Sequence, residues 1–436
     1  MPQHPARTTI QPHSALARFS GTLAAVLATS CLLLLSTAAL AQTFTVLHNF
    51  TGETDGKTPY TGLTMDRAGN LYGTTRYGGY QGNRDCSVLG GCGTIFKLTR
   101  AGTAWVFAPL YQFQGVVNGD GSVPLSRVIF GPDGALYGTT VYGGMGEGCN
   151  DGCGTVFKLT PPPTFCRNVT CSWLETEVNQ FTNADGQGPS GDLAFDSAGN
   201  LYGATGGGGS AGRGTIYQLV PSSGAWHENL LYSFQGMLDG QNPGGVALDR
   251  AGNIYGTTFT GGSGGFGTVF QLASSPSGWT LDTLYSFAGN NGLGPVAGVI
   301  LDAAGNLYGA TVNGEPDGDA YAYELSPSGN GWNHDTLYIF PNCYGCGPAA
   351  NLVMDAAGNL YGTTRGLGGS DDPHGSVFEL TPSTQGWIYT DLHDFTGGSD
   401  GSSPYSNVVI DANGNLYGTA SAGGMYGDGT VWEITR

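Results

Sequence analysis

Apolar and polar residues alternate in short runs along this chain, and glycine, proline, asparagine or aspartate separates each run from the next. One phrase, Gly-Asn-Leu-Tyr-Gly-Thr-Thr at residues 69–75, returns six more times with small changes. The tyrosines of the later copies are Tyr137, Tyr202, Tyr255, Tyr308, Tyr361 and Tyr417. A repeat of 53 to 65 residues that contains only strand-type runs is typical of a β-propeller, with one blade in each repeat.

Each repeat contains four strand-type runs, which we label A to D from the propeller axis outward. Strand A follows a proline, and strand B is the Leu-Tyr-Gly-Thr-Thr phrase. Strand C has the pattern Gly-Thr-Val-Phe-x-Leu, as at residues 267–272. Strand D begins at a tryptophan and ends at a phenylalanine eight residues later, as with Trp279 and Phe287. The pattern predicts an all-β, seven-bladed propeller with four antiparallel strands in each blade.

The two ends of the chain indicate how the ring closes. The run at residues 43–50 is a D strand without a preceding A, B or C strand, and the run at residues 430–434 is a C strand without a following D strand. A closed ring must pair its first and last elements to remove exposed sheet edges. We therefore expect the N-terminal strand to pair with the last strand and complete blade seven.

An aspartate recurs at the start of the turn between strands A and B. It is present in six repeats and replaced by Gly131 in the second. The six residues are Asp66, Asp196, Asp249, Asp302, Asp355 and Asp411. A catalytic or metal-binding role would require the residue in a defined site, whereas an aspartate that accepts hydrogen bonds from turn amides explains its recurrence. We interpret these residues as structural.

The two repeated phrases resemble the tandem repeat of the exported bacterial proteins called GloVer-repeat proteins. The resemblance covers residues 43–436 and rests on seven matched copies. It implies an exported, cell-surface or extracellular bacterial protein of undefined biochemical role. It supplies no catalytic residues that could be transferred to this chain.

Residues 1–41 have the features of an export signal. Two arginines precede an apolar run at residues 23–35, and small residues stand at a cleavage site that ends at Ala41. The run is shorter than the roughly 20 residues that a membrane-spanning helix needs. We expect cleavage after Ala41 and a mature domain of residues 42–436 that is secreted or held at the cell surface or in the periplasm. Cleavage as a lipoprotein at Cys31 is the alternative.

The composition is rich in glycine and acidic residues. The chain has 77 glycines, which fit the many tight turns of an all-β protein. Its formal charge is −18, and loss of the signal, which carries two arginines and no acid, makes it −20. Because the chain has only three lysines, it offers no basic surface for phosphates, and nucleic acid is not an expected partner. We expect a monomer.

Eight cysteines remain after the signal, and they form four close pairs in sequence. The pairs are Cys86 with Cys92, Cys149 with Cys153, Cys166 with Cys171, and Cys343 with Cys346. An even number of locally paired cysteines in an exported chain predicts four disulfides. Each closes a short loop and contributes only about 2 kcal/mol in the chain-entropy account, so the disulfides brace loops. A zinc site at the last pair would need a second ligand pair nearby, which the sequence lacks.

The connections between strands should carry any binding function, since loops on a rigid scaffold usually do. The B–C connections of blades one and two are longer than the others, and so is the connection that joins these blades at residues 113–124. D–A and B–C connections emerge on one face, so the three should meet there. The candidate ligand-binding residues are Tyr77, Tyr80, Arg84, Asp85, Asp120, Tyr142, Glu147, Asn150 and Asp151. Aromatic and carboxylate side chains suit a glycan or a peptide.

A second acidic feature lies on the same predicted face, where an Asp-Gly pair stands four residues before the proline of strand A. These aspartates are Asp55, Asp120, Asp185, Asp239 and Asp400. A ring of carboxylates at the axial mouth could attract Ca²⁺, but separated single carboxylates lack the dense oxygen spacing of a calcium loop. Turn formation is the favoured interpretation, and we expect no cofactor or metal.

The histidines argue against catalysis. Four of the five in the mature chain, His48, His227, His334 and His393, fall in outermost D strands, and no Ser/His/Asp order or paired-histidine metal motif is visible. We therefore favour a non-catalytic binding module for a glycan, a peptide or a cell-surface partner. A purely structural envelope protein is the alternative, followed by a polysaccharide hydrolase or lyase that uses paired carboxylates.

Overall fold

The computed structural model describes residues 42–116, 119–163, 172–276, 278–314, 318–329, 331–343, 345–366 and 373–436. Within these ranges the strands form seven antiparallel sheets, which are the seven blades of a β-propeller. The fold class that the repeats predict is therefore confirmed.

The strands are numbered in chain order, and β1 is Thr43–Asn49. Blade one consists of β2 (Thr64–Met65), β3 (Leu71–Thr75), β4 (Thr94–Ala101) and β5 (Ala104–Gln112). Blade two consists of β6 (Gly121–Pro124), β7 (Ile129–Phe130), β8 (Leu136–Gly143), β9 (Thr155–Thr160) and β10 (Leu174–Gln180). Blade three consists of β11 (Gln187–Pro189), β12 (Ala194–Phe195), β13 (Leu201–Gly207), β14 (Thr215–Ser222) and β15 (Ala225–Ser233). In blades two and three strand A is divided into two segments, both paired with strand B.

The remaining blades follow the same order from strand A to strand D. Blade four consists of β16 (Gln241–Leu248), β17 (Ile254–Thr260), β18 (Thr268–Ser275) and β19 (Gly278–Ser286). Blade five consists of β20 (Ile300–Leu301), β21 (Leu307–Ala310), β22 (Ala320–Ser328) and β23 (Gly331–Phe340). Blade six consists of β24 (Val353–Met354), β25 (Leu360–Thr364), β26 (Ser376–Ser383) and β27 (Gly386–Asp394). Blade seven consists of β28 (Val409–Ile410), β29 (Leu416–Ala420), β30 (Thr430–Thr435) and β1.

The N-terminal strand closes the ring. β1 pairs with β30 as the outermost strand of blade seven, although the two lie at opposite ends of the chain. The amide of Phe50 donates to the carbonyl oxygen of Gly429 at 3.0 Å. The amide of Met425 donates to the side-chain oxygen of Asn49 at 2.8 Å. The predicted closure is confirmed, and it removes the sheet edge that the last blade would otherwise expose.

The glycine of the repeated Leu-Tyr-Gly-Thr-Thr phrase makes room for an aromatic ring on the neighbouring strand. Gly73 of β3 pairs with Phe96 of β4. A Cβ atom on Gly73 would lie 2.6 Å from the Phe96 ring, and one on Gly418 would lie 2.3 Å from the ring of Trp432. The repeat therefore couples a glycine in strand B to a large ring in strand C, and changing either residue alone would disturb the packing of the blade.

Aromatic side chains also join each blade to the next. Phe234, just after β15, is fully buried and meets the ring of Phe270 in β18 edge to face at 5.3 Å. Phe50, just after β1, makes the same contact with Phe96 at 5.2 Å across the interface between blade seven and blade one, which we call the seam. The equivalent pairs are Phe113–Phe157, Phe181–Tyr217, Phe287–Tyr323, Phe340–Phe378 and Phe395–Trp432. The interface between blade seven, which β1 completes, and blade one is thus packed like the other interfaces between blades.

The recurring aspartate of the A–B turn has the structural role that the sequence predicts. The carboxylate of Asp249 accepts hydrogen bonds from the amides of Ala251 and Asn253, from the Asn253 side chain and from the Tyr255 hydroxyl. Burial would raise the pKa of Asp249, but these hydrogen bonds outweigh it and lower the pKa. The same set of bonds forms at Asp66, Asp196, Asp302, Asp355 and Asp411.

Blade two replaces this aspartate by a different one. Gly131 stands at the usual position, and Asp133, two residues later, accepts hydrogen bonds from the amide of Ala135 and the hydroxyl of Tyr137. It also forms an ion pair of 2.7 Å with Lys158. The tyrosine of strand B therefore keeps a carboxylate partner even where the sequence pattern changes.

Candidate functional site

The long connections of blades one and two lie together on the face where D–A and B–C connections emerge. The blade-one connection contains a short helix, α1 (Arg84–Leu89), which the repeat pattern does not predict. Asn83 caps this helix, since its side-chain oxygen accepts a hydrogen bond from the Cys86 amide at 2.9 Å. The side-chain nitrogen of Asn83 donates to the carbonyl oxygen of Gln114 at 2.6 Å. One side chain thus orients the helix and joins it to the connection that leads into blade two.

A groove lies between α1 and the B–C connection of blade two, and we call it the loop groove. Its volume is about 460 Å³. The residues that line it are Arg84, Asp85, Val88, Leu89, Val116, Ser122, Tyr142 and Asp151. Val88 is 80% exposed and Tyr142 is 40% exposed. The groove therefore presents apolar surface to solvent beside charges of both signs.

Disulfides brace both walls of the loop groove. Cys86 in α1 is bonded to Cys92, and Cys149 is bonded to Cys153 in the connection of blade two. A third disulfide joins Cys343 and Cys346 in the connection that enters blade six. These three bonds are those predicted from the spacing of the cysteines. The fourth predicted pair, Cys166 with Cys171, lies outside the described residues.

Four of the nine candidate residues face the loop groove, namely Arg84, Asp85, Tyr142 and Asp151. The other five, Tyr77, Tyr80, Asp120, Glu147 and Asn150, are not among the residues that line it. Tyr80 packs against the buried cluster between blades one and two. Tyr77 forms a two-hydrogen-bond bridge with Lys57 through its backbone and lies under the guanidinium of Arg76.

Asp120 lies beneath the surface, and its carboxylate is occupied by internal hydrogen bonds. It is 7% exposed. Its oxygens accept from the Tyr111 hydroxyl at 2.9 Å, the Gln114 amide at 2.7 Å and the Gly121 amide at 2.6 Å. Burial raises the pKa of Asp120 against the effect of these bonds. The structure therefore places Asp120 as a turn-forming residue that supports the loop groove from below.

The other aspartates of the Asp-Gly pairs also form turns. Asp185 accepts from the amide and hydroxyl of Thr182, and Asp239 accepts from the amides of Gln235 and Gly236. Asp55 and Asp400 bind a threonine in the same way and each contacts a D-strand histidine at 3.2 Å. In the part of the chain that the structure describes, histidine, cysteine and acidic side chains form no cluster of three or more that could hold a metal ion.

A second concave site, which the sequence analysis missed, lies on the propeller axis. We call it the axial cup. It has a volume of about 280 Å³, and it is lined by the residues that follow the strand A prolines of all seven blades. Its aromatic, charged and amide side chains are Tyr60, Arg127, Asp192, Asn351, Arg365, Tyr405 and Asn407.

The floor of the axial cup is a polar bridge across the axis. Asp192 of blade three accepts a hydrogen bond from the side chain of Asn351 in blade six at 3.0 Å. The same carboxylate oxygen forms an ion pair with Arg127 of blade two at 3.0 Å. Since blades three and six lie nearly opposite each other in a ring of seven, this bridge crosses the channel. Two floor atoms, Nε of Arg127 and Oδ1 of Asn351, are buried and have no hydrogen-bond partner among the described residues.

The rim of the axial cup is formed by Tyr60, Tyr405 and Arg365, and Arg76 lies behind Tyr60, outside the lining residues. The rings of Tyr60 and Tyr405 stack at 4.1 Å. The guanidinium of Arg76 lies 5.5 Å from the centre of the Tyr60 ring, and that of Arg365 lies 5.6 Å from the centre of the Tyr405 ring. Burial, more than the neighbouring charges, raises the pKa of Tyr60 to about 12, so its hydroxyl stays protonated at neutral pH.

A disulfide-braced loop holds Arg365 in place. Its backbone amide donates to the carbonyl oxygen of Cys346 at 2.9 Å, and its Nε donates to the carbonyl oxygen of Gly345. Within the described residues neither Arg365 nor Arg76 has a carboxylate within 4.0 Å. The rim therefore concentrates positive charge in a chain whose net charge is strongly negative.

Departures from the repeat are the sequence signal that could have located this site. Tyrosine follows the strand A proline only in blades one and seven, and arginine follows the Leu-Tyr-Gly-Thr-Thr phrase only in blades one and six. Loop lengths, on which the predicted site rests, do not contain this signal.

Fold and repeat together define a tandem-repeat β-propeller with an elaborated loop face. The chain belongs to the Gloeobacter/Verrucomicrobia repeat family, whose model matches residues 33–177, 141–334 and 274–436. The resemblance inferred from the repeated phrases is thereby confirmed. No curated protein matches the chain in a sequence comparison.

Solved structures share the fold at low sequence identity. An extracellular domain assigned to a one-component system of B. thetaiotaomicron matches with a TM-score of 0.54 and 10% identity over 89% of this chain. This chain spans 39% of that matched chain. A protein described as a 6-phosphogluconolactonase of Bacteroides uniformis matches with a TM-score of 0.47 and 16% identity, over 77% of this chain and 84% of its own. Among the described residues, no helix is long and apolar enough to cross a membrane.

Proposed function

We propose that this protein is an exported, non-catalytic binding module that holds a peptide segment of a protein partner in the loop groove. The observation that carries the proposal is the meeting of three connections around one groove, two of them braced by disulfides. A braced groove loses little conformational freedom when a partner binds, which favours affinity. Disulfides of this kind form in oxidising compartments and so support export.

The chemistry of the loop groove favours a peptide over a sugar. Val88, Leu89 and Val116 contribute aliphatic surface, and Tyr142 adds an aromatic ring with a polar end. Arg84 on one wall and acidic residues on both walls can pair with charged side chains of a partner. A bound sugar buries hydroxyl groups, which cost free energy unless they are hydrogen-bonded, and branched aliphatic side chains offer no such bonds.

The proposal is tested by applying the purified protein to arrays of peptides and glycans and measuring the affinity of any ligand found. Tyr142→Ala should weaken a groove-bound peptide by about 1 kcal/mol or more, because an aromatic side chain at an interface contributes large contact area. Tyr426→Ala is the matched control, since Tyr426 is 57% exposed in a B–C connection of blade seven, outside the groove.

Four other outcomes would contradict the proposal in different ways. Equal effects of Tyr142→Ala and Tyr426→Ala would remove the loop groove as the binding surface. Ligands found only on the glycan array would replace the peptide by a sugar. Silence on both arrays would favour the structural envelope role, and turnover of a polysaccharide would indicate an enzyme.

A further inference from the structure

We propose that the axial cup is a second binding site, which takes a small hydroxylated carboxylate of the sugar-acid class. The inference is independent of the loop groove, since the two sites share no lining residue.

The rim requires an anion. Arg365 uses its Nε and backbone amide to hold its own loop, and no described residue takes up the two terminal nitrogens of its guanidinium, which can therefore bind a ligand. Planar guanidinium groups match the two oxygens of a carboxylate, and such charge-assisted bonds are stronger than neutral ones. Arg76 adds a second positive charge behind Tyr60. Because the faces of the stacked tyrosine rings are covered by each other and by the arginines, the phenol hydroxyls are the groups that Tyr60 and Tyr405 can offer.

The floor favours hydroxyl groups on the same ligand. Oδ1 of Asn351 is a buried acceptor that lacks a donor, and Nε of Arg127 is a buried donor that lacks an acceptor. Buried polar atoms of this kind normally have partners. A hydroxyl group both donates and accepts, so it can satisfy either atom, whereas a simple anion can satisfy only the donor. Carboxylate at the rim and hydroxyls at the floor together describe a sugar acid.

The charge and size of the axial cup agree with this class of ligand. Asp192 neutralises Arg127 on the floor, and within the described residues Arg365 and Arg76 have no carboxylate within 4.0 Å. The volume of about 280 Å³ lies near the lower end of the range for small-molecule sites, about 300–1,000 Å³. One monosaccharide unit is therefore the expected content. This unit can be a free sugar acid or the acidic end of a polysaccharide chain.

Isothermal titration calorimetry with galacturonate tests the proposal, with galactose as the neutral counterpart. Galacturonate should bind in a single saturable step that weakens as salt is added, and galactose should not bind at the same concentration. Arg365→Gln should weaken the binding about tenfold or more, since it removes a charge-assisted contact. Arg67→Gln is the matched control, because Arg67 is exposed in an A–B turn on the opposite face. The Arg67→Gln variant should bind galacturonate with unchanged affinity.

Arg365 also holds a loop, so Arg365→Gln could fail to fold, and Tyr60→Phe serves as the second variant. It removes one oxygen atom and keeps the stacked ring, and it should weaken galacturonate binding severalfold. An oligogalacturonide that binds at least as tightly as the monosaccharide would identify a chain end as the ligand, and binding of the monosaccharide alone would identify the free acid. The proposal is overturned by an absence of galacturonate binding at about 10 mM, by equal binding of galactose, or by undiminished binding in both variants.

Discussion

The packing at the seam predicts that Phe50→Ala destabilises the propeller as strongly as the same change at another interface between blades. The Phe50 ring is fully buried and contacts Phe96 at 5.2 Å and Phe107 at 5.9 Å, both edge to face. Replacing a buried phenylalanine by alanine costs about 3–5 kcal/mol, because the lost transfer free energy is joined by that of the cavity left behind. The free energy of unfolding should fall by that amount.

The matched control is Phe234→Ala, which makes the same change between blades three and four. Phe234 is equally buried, and its ring meets Phe270 at 5.3 Å and 65°, the geometry that Phe50 has with Phe96. The difference is that the blade before Phe234 is one continuous segment, whereas β1, which precedes Phe50, is held to the other strands of blade seven by hydrogen bonds and packing and not by a chain connection. Denaturant titrations followed by tryptophan fluorescence give both free energies of unfolding.

Equal losses would mean that the seam unfolds together with the rest of the ring. A loss below about 1 kcal/mol for Phe50→Ala, beside a full loss for Phe234→Ala, would show that β1 is not docked in solution, and the closure argument would fail. A smaller m-value in Phe50→Ala alone would indicate that the seam opens before global unfolding, because m scales with the surface exposed in the transition.

Three further predictions concern disulfides, a buried acid and a turn. Mass spectrometry without reduction should find Cys86–Cys92 and the other local pairs and no free thiol. Burial, followed by the nearby acids, raises the pKa of Glu175 to about 8, so its ionisation opposes folding as pH rises above about 4.5. Glu175→Gln should therefore gain stability over the wild type between pH 5 and pH 8, on the order of 2 kcal/mol. Asp355→Ala should cost about 1–3 kcal/mol by leaving the turn amides of Ala357 and Asn359 without their acceptor, measured by denaturant unfolding.

Each of these predictions has a result that would contradict it. A bond between Cys92 and either cysteine of the blade-two loop would show that the two loops are tied together and not braced separately. A difference between Glu175→Gln and the wild type that stays constant from pH 5 to pH 8 would mean that Glu175 ionises as freely in the folded state as in the unfolded one. An unchanged stability of Asp355→Ala would remove the structural explanation of the recurring aspartate.

The repeated positions could be predicted because each repeat encodes the same local structure. The repeated phrase at residues 69–75 forms a strand, and the aspartate and glycine near it form turns. Seven copies of this pattern therefore predict seven similar blades. Closure by β1 followed from the unpaired strand types at the two ends. Helix α1 could not be predicted in this way, because it occurs in a single long connection that has no counterpart in the other repeats.

The candidate site was only partly predictable. Loop lengths pointed to the face that holds the loop groove, and Arg84 and Tyr142 line it. The sequence also predicts Asp120 as a binding residue, because it shows a carboxylate in a long connection but not the groups that hydrogen-bond to that carboxylate. Its burial and its three hydrogen bonds depend on how the turn folds under the loops.

The number of blades, the order of strands, the sites of turns and the local pairing of cysteines could be predicted from the sequence alone. These features depend on residues close together in the chain, and the repeat contains them in seven similar copies. Which single departures from the repeat meet on the axis depends on the tertiary structure. Asp192 and Asn351 are 159 residues apart and Tyr60 and Tyr405 are further apart still, yet each pair is in contact. Ring closure brings equivalent positions of all blades to one axis, so residues that are distant in sequence become neighbours there.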